Sequence, residues 1–226
     1  MALSSGASAR TFTVNSTTDA VDANPGDGVC ETAAGNRICT LRAAIMESNN
    51  RIGPNTINLP AGVYTLTIPG AGEDAAASGD LDITNFLTIV GGGRDVTVVD
   101  AGGLDRAFDV ININVSISNL TVKRGQRSGE YGGGILAHSF GIITLEQVTL
   151  VDNHAVIGGA LMSNGAVLQL INVDINNLDS ATFAVEGLRR KALWGLIGAG
   201  VDPVAQEFRE GGLRGASSEK FGETGA

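Results

Sequence analysis

Ser118-Asn119-Leu120-Thr121-Val122, Glu146-Gln147-Val148-Thr149-Leu150 and Ile171-Asn172-Val173-Asp174-Ile175 are three versions of one short motif. Leu120 and Val148 are 28 positions apart, and Val148 and Val173 are 25 apart. Gly132-Gly133-Gly134-Ile135-Leu136 follows the first version and is echoed by Gly158-Gly159-Ala160-Leu161-Met162 after the second. Short alternating segments that return at this period, with glycines at the joints, are the mark of a solenoid, in which each repeat buries its apolar face only by stacking on the next. The pattern decides the fold and leaves the chemistry open.

Working outward, Val115, Ile117, Leu120 and Val122 alternate with polar or small residues, which places one set inside and one outside. Earlier segments read as strands in the order a coiled sheet needs: 56–59, 63–68, 81–83, 86–90, 96–99 and 107–113. Gly91-Gly92-Gly93, Gly102-Gly103, Gly132-Gly133-Gly134 and Gly158-Gly159 are expected at corners, where a side chain would strike the neighbouring coil. None is followed by the Lys-Ser/Thr pair and helix of a phosphate-binding loop. Before the strands, Thr40 is a helix cap for Leu41-Arg42-Ala43-Ala44-Ile45-Met46-Glu47-Ser48-Asn49, whose Leu41, Ala44, Ile45 and Ser48 share a face; this helix is expected to cover the open end of the first coil.

The composition agrees. The chain of 226 residues is 43% hydrophobic but only 4% aromatic and holds 32 glycines, which fits a core of stacked Val, Ile and Leu in a backbone that turns often. A net charge of −9 argues against nucleic acid and anionic membrane surfaces as partners. No run reaches the length of about 20 apolar residues that a spanning helix needs. Cys30 and Cys39 lie nine apart, and the two histidines, His138 and His154, are too distant in sequence to complete a zinc site. A local disulfide is favoured over free thiols, which points to an oxidising compartment. Met1 to Gly6 has neither the basic start nor the apolar run of a signal peptide, and the recorded chain is expected to begin after a removed export signal.

Val29-Cys30, Cys39-Thr40-Leu41-Arg42-Ala43-Ala44-Ile45, Asn49-Asn50 and Thr56-Ile57-Asn58-Leu59-Pro60-Ala61-Gly62-Val63-Tyr64 together resemble the CSLREA-motif domain of exported bacterial proteins. The hexapeptide stands here as Cys-Thr-Leu-Arg-Ala-Ala, with Thr40 for the usual Ser, which keeps the capping hydroxyl, and Ala43 for the usual Glu, which removes a carboxylate. The resemblance covers about residues 11–180 and implies a right-handed parallel β-helix of pectin-lyase-like type, secreted or at the cell surface, with no defined reaction. The expected fold class is therefore all-β, with a short N-terminal capping helix and a helical C-terminal segment. The expected organisation is a disordered leader (1–10), a strand with disulfide loop and capping helix (11–53), the coils (54–180), a helical cap or non-native extension (181–210) and a flexible tail (211–226). The solenoid pattern breaks off within a repeat near Asp179, which favours unrelated sequence joined there by a reading-frame change or cloning junction over a natural cap. Its apolar Leu193, Trp194, Leu196 and Ile197 would make it a route to homo-oligomers.

The outward polar candidates are Asp109, Arg124, Arg127, Glu130, His138, Glu146, Asp152, His154 and Asp174. Glu146 and Asp152 are a candidate carboxylate pair for glycoside cleavage, with His154 two residues beyond Asp152 and projecting the same way if the chain stays extended. A Ser139-His154-Asp152 triad lacks any nucleophile elbow. Tyr131, beside Glu130, Arg127 and His138, is the best placed aromatic for a sugar. Asp80, Asp82, Asp95 and Asp100 are acidic, but their spacing matches no calcium loop, so no dedicated metal site and no cofactor are expected. The same polar residues also read as solvated loop and strand-edge groups. Two functions follow: an exported structural, adhesive or binding module for a polysaccharide or envelope protein, or a polysaccharide hydrolase or lyase. Convergence of the charged groups on one site discriminates between them.

Overall fold

A computed structural model describes residues 8–51, 53–138, 140–176 and the strand 183–186. It is a parallel β-solenoid of about four turns. The strands are β1 (Thr11–Thr13), β2 (Asn55–Leu59), β3 (Gly62–Thr65), β4 (Leu81–Ile83), β5 (Leu87–Gly91), β6 (Thr97–Asp100), β7 (Phe108–Val110), β8 (Val115–Lys123), β9 (Gln126–Tyr131), β10 (Ile135–Ala137), β11 (Ile142–Val151), β12 (His154–Ile157), β13 (Leu161–Asn164), β14 (Val167–Ile171), β15 (Asp174–Asn176) and β16 (Phe183–Glu186). One helix, α1 (Leu41–Asn49), precedes the coils. Along the first sheet the order is β1-β2-β5-β8-β11-β14, with β3, β6 and β15 joining it beyond the bend. A second sheet runs β16-β13-β10-β7-β4, and β9 pairs with β12 as a two-stranded ribbon.

The register explains why these residues form these strands. Phe12, Ile57, Ile89, Ile117, Leu145 and Leu170 stand in one rank across neighbouring strands, and Tyr64, Val99, Val122, Leu150 and Ile175 in another. Leu81, Phe108, Ile135 and Leu161 form the corresponding rank on the second sheet. Adjacent strands lie about 4.8 Å apart, so each inward side chain packs on its counterpart, and each such burial contributes roughly 1.5–3 kcal/mol. The expected segment 107–113 contributes only Phe108–Val110, and Ile135–Ala137 and Leu161–Asn164, which follow the glycine corners, are strands of the second sheet.

The corners also depart from the glycine rule. Asn119, Gln147 and Asn172 occupy equivalent places in successive coils and all take left-handed backbone, with φ of 57°, 52° and 51°. Arg124 and Asp152 repeat this at the next bend (54° and 53°), and Asn112, Phe140 and Gly165 at a third (56°, 66° and 88°). A non-glycine residue in this region costs about 1–2 kcal/mol, so the stacking of each bend on the next outweighs that cost. Glycine is required where backbones cross: a Cβ on Gly133 would stand 2.3 Å from the His154 carbonyl oxygen, and one on Gly134 2.4 Å from that of Ala160.

Thr40 caps α1 by accepting the Ala43 N–H at 3.1 Å. The helix is buried from Leu41 to Ser48, not on one face alone, because the segment before it and the loop ahead of β4 wrap its outer side. Arg42, fully buried, forks onto Asp19 (2.6 and 3.2 Å) and donates to the carbonyls of Ala76, Gly79 and Asp80. Glu47 accepts the N–H groups of Gly26 (2.5 Å) and Gly28. The expected bridge is present between Cys30 and Cys39.

One correction concerns the C-terminal segment. Phe183–Glu186, expected within a helical stretch, is β16 and continues the second sheet in register, Leu161 opposite Phe183 and Asn164 opposite Glu186. The open edge of β13 supplies backbone partners that override the weak helical spacing. The remainder of the expected helical segment and tail lies outside the described residues.

Because Gly133 faces backbone and Gly35 faces open space at φ +77°, Gly133→Ala should cost about 2–4 kcal/mol in urea unfolding and Gly35→Ala about 1 kcal/mol. Equal effects would disprove the backbone crossing as the reason for the glycine.

Candidate functional site

Leu81-Asp82-Ile83 and Phe108-Asp109-Val110 carry the same pattern one coil apart, and pairing of β4 with β7 sets Asp82 opposite Asp109. Their neighbours point into the core, so both aspartates leave the outer face of the sheet, yet both are buried, at 1% and 6% exposure. Asp80, at 3%, adds a third carboxylate, and oxygens of the three lie within 4.8 Å of one another. The loop before β4 covers them: Ala76 donates its N–H to Asp82 Oδ2 at 2.8 Å.

Arg106 sits over this nest. Its Nη1 donates to Asp109 at 2.5 Å and to Asp80 at 3.3 Å, and its Nη2 lies 3.5 Å from Glu130. Arg127 joins Glu130 (3.0 Å) to the buried Asp105 (2.9 Å). His138 Nε2 lies 2.9 Å from Asp109 Oδ1, close enough for an ion pair when protonated but off the line of a hydrogen bond. The chain Arg127-Glu130-Arg106-Asp109-His138 thus unites three of the four residues expected to bind a ligand, and Tyr131, half exposed, follows Glu130 on β9.

Burial pushes the Asp80 carboxyl up to about 7, with the Asp105 charge adding to it and Arg106 opposing it. Burial likewise raises Asp82 to about 8, helped by the Asp80 charge. Asp100 is the contrast. Burial pushes it up, but hydrogen bonds from Arg124 and Lys123 outweigh that and leave it below its ordinary value. Two buried carboxylates with too few cations therefore behave oppositely to one with two.

The candidate catalytic residues fare differently. Glu146, Asp152 and His154 are all exposed. The left-handed bend at Gln147 separates Glu146 from Asp152, and Asp152 itself is left-handed, so the chain is not extended from Asp152 to His154 as expected above. Asn153 between them is buried and ties two coils together by accepting Gly125 N–H at 2.9 Å and donating to the Val122 carbonyl at 3.1 Å. Ser139 lies outside the described residues. Asp174 pairs with Arg94.

Sequence reasoning missed the nest because it searched for ligands close in sequence. The signal available was the repeated apolar-Asp-apolar triplet, in which an outward aspartate recurs at one coil's distance.

Both raised carboxyls hold protons in the folded chain that the unfolded chain releases above its ordinary value of 3.8. Stability in chelator-containing buffer should therefore fall as pH rises from about 4 to 8, with a slope on the order of 1 kcal/mol per pH unit for each group. Thermal melts of Asp82→Asn should show a flatter profile across that range; an unchanged profile would assign the titration elsewhere.

Searched against protein-family models, curated proteins and solved structures, the chain matches none of them significantly.

Proposed function

We propose that this chain is an exported β-helix module that binds a neutral polysaccharide at the cell envelope through the patch formed by Arg127, Glu130, Tyr131 and His138. The observation that carries the reading is their shared anchorage: Glu130 and His138 are tied through the buried Arg106 and Asp109, and Arg127 through Glu130. Side chains held by buried partners lose little freedom when a ligand arrives, which favours binding. The patch offers a guanidinium, a carboxylate, an imidazole and one half-exposed phenol. These are hydrogen-bonding groups and an aromatic face suited to sugar hydroxyls and a pyranose ring. The net charge of −9 disfavours polyanionic glycans.

A β-solenoid with a disulfide is consistent with an exported structural module. Among the described residues no helix is long and apolar enough to cross a membrane. The enzyme alternative has weaker support, since Glu146 and Asp152 are divided by a bend and the carboxylates of raised pKa are too buried for a polymer to reach.

A panel of plant, algal and bacterial polysaccharides, read for both binding and cleavage, tests the proposal. Binding should weaken about tenfold in Tyr131→Ala and in Arg127→Ala, and should be unaffected in Asp152→Asn. Cleavage that disappears in Asp152→Asn or Glu146→Gln would replace this reading with the hydrolase or lyase; absence of both binding and cleavage would leave an envelope protein as the partner to seek.

A further inference from the structure

The nest of Asp80, Asp82 and Asp109 contains more than acidic residues gathered together. Asp82 is 1% exposed and its Oδ1 meets no donor, although a buried oxygen of this kind is nearly always satisfied. Asp109 Oδ1, also buried, lacks a hydrogen bond, the His138 nitrogen standing 2.9 Å away but off the line of one. The local charge is unbalanced as well. Arg106 is the one guanidinium shared by Asp80 and Asp109, while the neighbouring Asp105 is matched by Arg127. Were all three carboxyls ionised, Arg106, itself shared with Glu130, would leave at least two negative charges unbalanced in a region almost closed to water, so the nest must be neutralised by protons or by a cation.

The donor set defines what would balance them. It consists of carboxylate oxygens, which prefer hard cations, and it contains no thiolate. Ca²⁺ binds oxygens at about 2.3–2.6 Å, so ligands across the ion stand up to roughly 5 Å apart. The spacing within 4.8 Å found here suits that ion. We propose that Asp80, Asp82 and Asp109 form a Ca²⁺ site, with Asp82 Oδ1 as the ligand that protein groups leave open. Such an ion joins β4 to β7 and so fastens one coil to the next. It lies beneath Arg106 and does not require the glycan reading to be correct.

The test uses the whole chain after chelator treatment, titrated with CaCl₂ by calorimetry and followed by thermal melts near neutral pH. One Ca²⁺ per chain should bind with a Kd between about 10⁻⁵ and 10⁻³ M, and Tm should rise by about 5 °C at saturation. Asp82→Asn should lose both effects, while Asp95→Asn, a change at an exposed aspartate, should keep them. If Asp82→Asn fails to fold, Asp109→Asn takes its place. No rise in Tm at about 5 mM Ca²⁺ would overturn the proposal, leaving protons to neutralise the nest. A rise that survives both nest variants would overturn it too, as diffuse counter-ion binding.

Discussion

Parallel stacking in register is the constraint on which the rest of this structure depends. Because each coil repeats the last, a residue's environment is fixed by its place in the coil and not by its neighbours in sequence. Apolar ranks such as Phe12-Ile57-Ile89-Ile117-Leu145 follow from it. So do the left-handed bends at Asn119, Gln147 and Asn172, where the cost of unfavourable backbone is accepted in three consecutive coils. The same register sets Asp82 beside Asp109. Core, corners and charged nest are thus three outcomes of one geometry, applied to different residue types.

Arg42 connects that geometry to the start of the fold. Its guanidinium is buried with all its reach used, on one carboxylate and three carbonyls. Removing a partner from such an arrangement typically costs about 3–5 kcal/mol, since the group left behind stays desolvated. Two of the carbonyls belong to Gly79 and Asp80, immediately ahead of β4. The capping helix therefore shapes the loop that roofs the nest. Glu47, one turn later on the same helix, performs a related service for the disulfide-bearing segment by receiving the amides of Gly26 and Gly28.

Much of this was legible in the sequence. Repeat period, inward alternation, the helix with its Thr40 cap and the Cys30–Cys39 bridge were all accessible, because each rests on residues near one another or on strict recurrence. Tyr131, Glu130, Arg127 and His138 were legible as polar groups beside a corner, but not their union through Arg106, which depends on contacts between elements. Asp82 and Asp109 were invisible as a pair because their proximity is created by the pitch of the coil. The weak helical spacing after Asp179 misled for the complementary reason: an open strand edge decides the state of Phe183–Glu186 more strongly than local propensity.

The outward rank that begins with Asp82 and Asp109 continues as Leu136 and Met162, so it changes from charged to apolar partway along the solenoid. This restricts how the repeat array can be edited. A coil inserted or deleted beyond β10 would meet an apolar rank much like its own and leave the charged groups untouched. One inserted between β4 and β7 would carry Asp109 a full strand spacing away from Asp82 and take Arg106 away from Asp80. The protein thus has a fixed end and an extensible end, and lineages or designs that vary its length are free to do so only at the second.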